Sequence, residues 1–218
     1  MLSDLPIKYA LFDMDGTLTD TMRFWRNATN EFLREEGISL SEEQVRILEK
    51  KSFYEGHRYV HSLHLSPRAD TFGLSDVLRI LKAHYEEEAV EKPAATALLE
   101  ELRARGVKMG IATLTPSPLA EICLTKTGLR PYFDFILGGE GYPEGKSTPR
   151  IFLDAAKKFG CAPSEMYLFE DSLYSIQTAR TLGMPVIGVA DKYQEDERPA
   201  IMDASVAFFD AGFTRRIK

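Results

Sequence analysis

Residues 8–20 read Lys-Tyr-Ala-Leu-Phe-Asp-Met-Asp-Gly-Thr-Leu-Thr-Asp. The first five form a short, nearly unbroken apolar run, which fits a strand buried on both faces of a parallel sheet. The run stops at Asp13 and Asp15. Alternate residues of an extended chain share a side, so both carboxylates are expected together at the strand's end. Gly16 then permits a tight turn. Four later segments repeat the apolar pattern, at 107–112, 133–137, 166–169 and 185–189.

Helical patterns lie between these segments. Residues 94–105 place Leu98, Leu99 and Leu102 on one stripe, and Gly106 stops it. Helices are also expected over 118–127, 149–159 and 173–182, each followed by a glycine. Alternating strands and helices with right-handed crossovers describe an α/β protein with a Rossmann-like, doubly wound parallel sheet. Ligands of such folds bind at the carboxyl ends of the strands.

Residues 20–92 break the alternation, because only helical patterns occur there. Residues 21–36 carry Phe24, Trp25, Ala28, Phe32 and Leu33 at helical spacing. Ser41-Glu42-Glu43 opens a second helix with an N-cap residue and acids in its first turn. Residues 74–88 form a third, with Leu74, Val77, Leu78, Leu81 and Tyr85 on one face. About seventy residues exceed an ordinary crossover, so the expected organisation is a core of 1–19 with 93–218 and an inserted α-helical cap domain of 20–92.

Composition narrows the function classes. The chain has 218 residues, 44% hydrophobic and 28% charged, enough for a sizeable core. A formal net charge of −6 argues against sequence-independent nucleic-acid binding, which rests on neutralising phosphates. No apolar run approaches a membrane span, and the acid at Asp4 with no long apolar stretch after it argues against a leader peptide. Two cysteines without paired spacing suggest a reduced, cytoplasmic protein. A monomer or weak homodimer is expected.

Every strand that should reach the site ends in a polar group. Asp13 and Asp15 follow the first, Thr113 the second, Lys146 the third, and Glu170 and Asp171 the fourth. Single acids at strand ends are ordinary turn residues; the set points to chemistry. Four gathered carboxylates repel one another, and a hard divalent cation held by oxygens, Mg²⁺ above all, relieves that repulsion. One carboxylate can act as nucleophile and another as general acid and base. Thr113 and Lys146 suit phosphoryl oxygens. Gly16, Thr17 and Leu114 flank these groups and are substrate-contact candidates.

The sequence Asp-x-Asp-Gly-Thr-Leu-Thr-Asp, the strand-end Thr, the Lys-x-x-Pro and the Glu-Asp-Ser resemble the four motifs of the haloacid dehalogenase superfamily. The resemblance spans roughly residues 7 to 190. The position of the helical insert is similar to the phosphoglycolate phosphatase and β-phosphoglucomutase subgroup. The resemblance implies a Mg²⁺-dependent phosphatase acting on a small phosphorylated metabolite through an aspartyl-phosphate. In it Asp13 matches the nucleophile, Asp15 the acid/base, Thr113 the phosphate-binding hydroxyl and Lys146 the steadying cation. Asp13, the Asp15 carbonyl and Asp171 match metal ligands, with Glu170 an outer or alternative one.

Some positions depart from the family pattern. Asp15 argues against dehalogenation. Trp25 stands where β-phosphoglucomutases carry a hinge histidine, which weakens a mutase reading. A non-catalytic phospho-ligand module is a third reading, and Asp15 speaks against it. Leu114 follows Thr113 where a small polar residue is usual, so Thr115 is an alternative phosphate-binding hydroxyl. Within the insert, Trp25, Lys50, Tyr54 and Arg58 are substrate candidates, though Lys50-Lys51 also reads as surface charge. His57, His61 and His64 would share one face if the second helix continued that far, as a metal site, a substrate rim or neither. Gly138-Gly139-Glu140-Gly141 lacks a P-loop ending and is expected to shape the turn before Lys146.

Overall fold

The computed structural model describes residues 2, 4–49, 53–210 and 212–216. Strand β1 (Tyr9–Phe12) leads into five helices: α1 (Met22–Glu35), α2 (Glu42–Glu49), α3 (Phe53–Leu63), α4 (Pro67–Asp70) and α5 (Leu74–Glu87). The α/β alternation then runs α6 (Ala95–Ala104), β2 (Lys108–Ala112), α7 (Ser117–Lys126), β3 (Phe135–Leu137), α8 (Arg150–Phe159), β4 (Met166–Glu170), α9 (Leu173–Thr181), β5 (Val186–Val189), α10 (Arg198–Ala204), β6 (Ala207–Phe209) and β7 (Arg215–Arg216). The chain divides into two compact units, Met1–Asp20 with Ala89–Lys218, and Thr21–Glu88.

The first unit holds one sheet in the order β3-β2-β1-β4-β5-β6-β7. Six strands are parallel, and β7 pairs antiparallel with β6. Connections run outward in opposite directions from β1 and β4, so the topological switch point lies between these two strands. Register fixes what meets there: Phe12 pairs with Ile111 on one side and Phe169 on the other. The residues that follow, Asp13, Ala112 and Glu170, therefore emerge level. Phe12 and Phe169 stack with ring centroids 4.2 Å apart, and the apolar β1 residues Ala10, Leu11 and Phe12 are fully buried. At 25 cal/mol per Å², burying the Leu11 and Phe12 side chains contributes about 1.5–3 kcal/mol each, which anchors the strand that delivers Asp13.

Strands β6 and β7 and helix α10 extend the sheet beyond the five strands expected from sequence. Within the first unit the outgoing chain at 18–20 pairs with the returning chain at 90–92. The Asp20 N–H donates to the Val90 carbonyl at 3.1 Å and the Lys92 N–H to the Leu18 carbonyl at 2.8 Å.

Among its described residues, the second unit has no strands and its regular elements are helices. Phe24, Ala28, Phe32 and Leu33 of α1 and Val77, Ile80, Leu81 and Tyr85 of α5 are buried; Leu74, expected on the same face, is exposed because it stands at the first residue of α5, and Ile80 is buried instead. Phe32 stacks on Phe72 at 4.2 Å. Ser66 caps α4 by accepting from the Ala69 N–H at 3.1 Å, and Asp76 accepts from the Gly73 N–H at 3.0 Å to fix the start of α5. The single second helix considered from sequence is two helices, α2 and α3. Gly56 explains their close packing, since a β-carbon there would lie 2.9 Å from Leu48 Cδ1.

Candidate active site

The loop after β1 is built around one carbonyl. The Met14 oxygen accepts from the Leu18 N–H at 2.9 Å, the Thr19 N–H at 3.1 Å and the Thr19 hydroxyl at 3.0 Å. Gly16 takes φ +87°, a left-handed conformation that favours glycine. The turn leaves Asp13 and Asp15 nearly buried at the carboxyl end of β1.

Lys146 sits in the helical turn Gly145–Ser147 and is 2% exposed. Its ammonium donates to Asp13 Oδ1 and, at 2.9 Å, to Glu170 Oε2. The Glu170 carboxylate is fully occupied. Its Oε2 also accepts from Ser175 Oγ at 2.6 Å, and its Oε1 accepts from the N–H groups of Asp171 and Ser172, each at 3.2 Å. Asp171 is different. Thr17 Oγ1 donates to its Oδ1 at 3.0 Å, but its buried Oδ2 has no hydrogen-bond partner. Asp13, Glu170 and Asp171 each place a carboxylate oxygen within 4.8 Å of the others.

Three carboxylates and one ammonium leave an excess of negative charge in a buried site. Burial pushes the Asp13 carboxyl up to about 7, the Lys146 charge pulling against it and Glu170 and Asp15 adding to it. Burial also drives Asp171 well above the usual carboxylate range, reinforced by Glu170 and Asp13. Burial opposes the charge on Lys146, but Asp13 and Glu170 more than offset this and hold it protonated. The unpartnered Asp171 oxygen beside two further carboxylates is compatible with a divalent cation held there. The all-oxygen donor set suits Mg²⁺.

The second and third loops are joined. Thr113 Oγ1 accepts from the Thr115 N–H at 3.1 Å, and the Thr115 carbonyl accepts from the Gly139 N–H at 3.2 Å. Glu140 Oε2 accepts from the Ser117 N–H at 2.9 Å, at the start of α7. A β-carbon on Gly139 would lie 2.0 Å from the Leu114 carbonyl oxygen, so this approach requires glycine. The glycine-rich segment thus fastens the loop carrying Lys146 to the loop carrying Thr113. Thr115 Oγ1 reaches across to Asp15 Oδ2 at 2.6 Å.

This architecture has known counterparts. The haloacid dehalogenase-like hydrolase family matches residues 7–183. The chain belongs to the haloacid dehalogenase-like hydrolases. Within that family it is 32% identical to a phosphoglycolate phosphatase of Nitrosospira multiformis, over 88% of this chain and 86% of that one. It is 28% identical to the fructose-1-phosphate phosphatase YqaB of Escherichia coli, over 82% of this chain and 94% of the relative. The solved structure of a putative β-phosphoglucomutase from Thermotoga maritima shares the fold, with a TM-score of 0.74, 24% identity and coverage of 94% and 95%.

Against this hydrolase frame, the candidates from sequence separate. Asp13, Lys146, Glu170 and Asp171 gather in one buried cluster. Thr17, expected at the substrate, is fully buried and spends its hydroxyl on Asp171. Leu114 contributes its backbone to the contact with Gly139. Ser175 is a positioning residue that sequence reading missed, because nothing local distinguishes a serine one turn into a helix.

In the helical unit, Trp25 Nε1 donates to Tyr85 OH at 3.0 Å, and Arg58 is exposed on α3. Lys50 lies outside the described residues, as does the Tyr54 side chain. The histidines do not form one metal-binding face. His57 and His61 both hydrogen-bond the Phe72 carbonyl, at 2.7 and 2.8 Å, while exposed His64 follows α3 and faces Asp70 at 3.4 Å.

Proposed function

We infer that this hydrolase cleaves a small phosphomonoester through an aspartyl-phosphate on Asp13. The observation that carries the reading is the buried Asp13–Lys146–Glu170 chain beside the unpartnered oxygen of Asp171. Asp13 presents one carboxylate oxygen to Lys146, which fixes its orientation and leaves the other to attack phosphorus. As the new P–O bond forms, the bond to the leaving alcohol breaks and Asp15 donates its proton to the departing oxygen. Asp15, now a carboxylate, takes a proton from a water whose oxygen attacks phosphorus, releasing phosphate and restoring Asp13.

Thr113 accepts from the Thr115 N–H, which leaves its own hydrogen for a phosphoryl oxygen. Lys146 offsets charge on the same group. Asp13, Asp171 and the Asp15 carbonyl would hold Mg²⁺, with Glu170 as an outer contact because its oxygens are already occupied. Bound Mg²⁺ supplies positive charge to the carboxylates and to the phosphoryl oxygens. The insert of residues 20–92 takes the role of a cap that governs substrate choice. The relatives named for phosphoglycolate and fructose 1-phosphate favour a small acid or sugar phosphate.

The test is phosphate release from a panel of sugar phosphates, phosphoglycolate, nucleotides and pyrophosphate, with Mg²⁺ or EDTA. Release from small monoesters that depends on Mg²⁺ and vanishes in Asp13→Asn is expected. Isomerisation of a hexose phosphate without net phosphate release would support the mutase reading instead, and full activity in EDTA would remove the metal.

A further inference from the structure

We propose that Thr115 is a positioning residue for the general acid and base, setting Asp15 for proton transfer to and from the reacting oxygens. This rests on the assignment of Asp15 above and extends it to a residue whose part in the reaction is otherwise unassigned.

The argument is geometric. Thr115 is 1% exposed, and its backbone is tied at both ends, its N–H to Thr113 Oγ1 and its carbonyl to the Gly139 N–H. Both ties run to the loops that end β2 and β3, so the side chain is carried by a rigid frame. From there Oγ1 donates to Asp15 Oδ2 at 2.6 Å, a hydroxyl–carboxylate bond spanning 100 residues of sequence. A carboxyl group has two oxygens, and only one holds the proton. With Oδ2 accepting from Thr115, the transferable proton is assigned to Oδ1. In the first step that O–H bond breaks, the proton passes to the alcohol oxygen, and the resulting carboxylate keeps the Thr115 bond, now to a full charge. In the second step Oδ1 takes the proton back from water. Thr115 thus stabilises the state reached at alcohol departure and fixes which oxygen moves the proton. Thr113 hydrogen-bonds Thr115 through the backbone, so the groups holding phosphate and those holding the acid share one loop.

Leaving-group dependence tests this directly. p-Nitrophenolate departs without protonation, whereas an alkoxide does not. The measured quantity is kcat/KM, which reports steps through alcohol departure, for p-nitrophenyl phosphate and for an alkyl phosphomonoester that the wild-type enzyme turns over. Thr115→Val should lower the alkyl value at least about ten-fold more than the aryl value. Thr115→Ser should restore it, and competitive inhibition by inorganic phosphate should stay within about two-fold of wild type. Equal losses on both esters, or weakened phosphate binding that accounts for the loss, would overturn the proposal and make Thr115 a phosphate-binding hydroxyl. Asp15→Asn is the reference. If it lacks the alkyl-selective defect, the acid assignment itself fails. If it has the defect and Thr115→Val does not, only the role of Thr115 fails.

Discussion

Asp13→Asn should inactivate the enzyme and also stabilise its metal-free form, by an amount that grows with pH. The Asp13 carboxyl is held at about 7 in the fold against an ordinary value of 3.8, chiefly by burial. The folded protein therefore binds this proton more tightly than the unfolded chain does. The group costs nothing below about pH 3.8, and stability then falls as pH rises toward 7. At 1.36 kcal/mol for each tenfold change, the full span amounts to about 4 kcal/mol. An amide carries no such cost, and its oxygen still accepts from Lys146. For a chain of this size 1 kcal/mol moves the midpoint by about 2–4 °C. In EDTA the variant should therefore unfold within a few degrees of wild type at pH 5 and about 8–16 °C above it at pH 8. Mg²⁺ should raise the wild-type midpoint at pH 8 more than that of the variant, because it relieves the same charge. The assay is thermal unfolding at four pH values with EDTA or Mg²⁺. A constant difference between the two proteins from pH 5 to 8 would refute the claim that Asp13 is ionised at a cost.

Three other outcomes are expected. Gly139→Ala should part the two joined loops and reduce kcat/KM by about 100-fold, with far-ultraviolet circular dichroism unchanged, because the new methyl meets the Leu114 carbonyl at 2.0 Å; near-normal activity would count against the joining. Lys92 and Asp191 form a buried ion pair at 3.0 Å, so Lys92→Met should cost about 3–5 kcal/mol in chemical unfolding, while adding Asp191→Asn should recover most of it. His84 reports on the helical unit. Burial works against its charge, but hydrogen bonds from its ring nitrogens to Glu31 and Glu88, both 2.7 Å, prevail and raise its pKa. Stability from this group is full below pH 6.5 and is lost as pH rises through the raised value, so unfolding followed by the single tryptophan, Trp25, should weaken toward pH 8 in wild type. His84→Asn should flatten that slope, and an unchanged slope would refute the linkage.

The first strand, its two aspartates and the acids after β4 were legible because each is written locally, as an apolar run with a polar stop. β6 carries the same signal in short form, Val206 to Phe209 before Asp210, and was passed over, while β7 has two residues, both arginine, and no pattern to detect. Local pattern also left α3 unread except as a conditional continuation of the helix opening at Ser41, since the contact of Gly56 with Leu48 depends on tertiary packing rather than on the helical repeat. Thr17 read as a substrate contact and Ser175 as an ordinary helix polar. Thr17 meets Asp171, 154 residues away, only because strand register brings the two loops together, whereas Ser175 meets Glu170 across the short turn between β4 and α9. Thr115 was a substitute for Thr113 in the sequence. In the structure the two hydroxyls have different partners: Thr113 Oγ1 accepts from the Thr115 N–H, and Thr115 Oγ1 donates to Asp15.

The pairing of residues 18–20 with 90–92 carries an evolutionary consequence. Because the chain leaves and re-enters the sheet-bearing unit through adjacent hydrogen-bonded points, the length of what lies between them is invisible to the strand register. Lengthening a loop whose ends are already joined costs little, about 0.6 kcal/mol per doubling. Residues 21–88 can therefore drift, or be exchanged for another module of different size, while Asp13 and Asp171 keep their places.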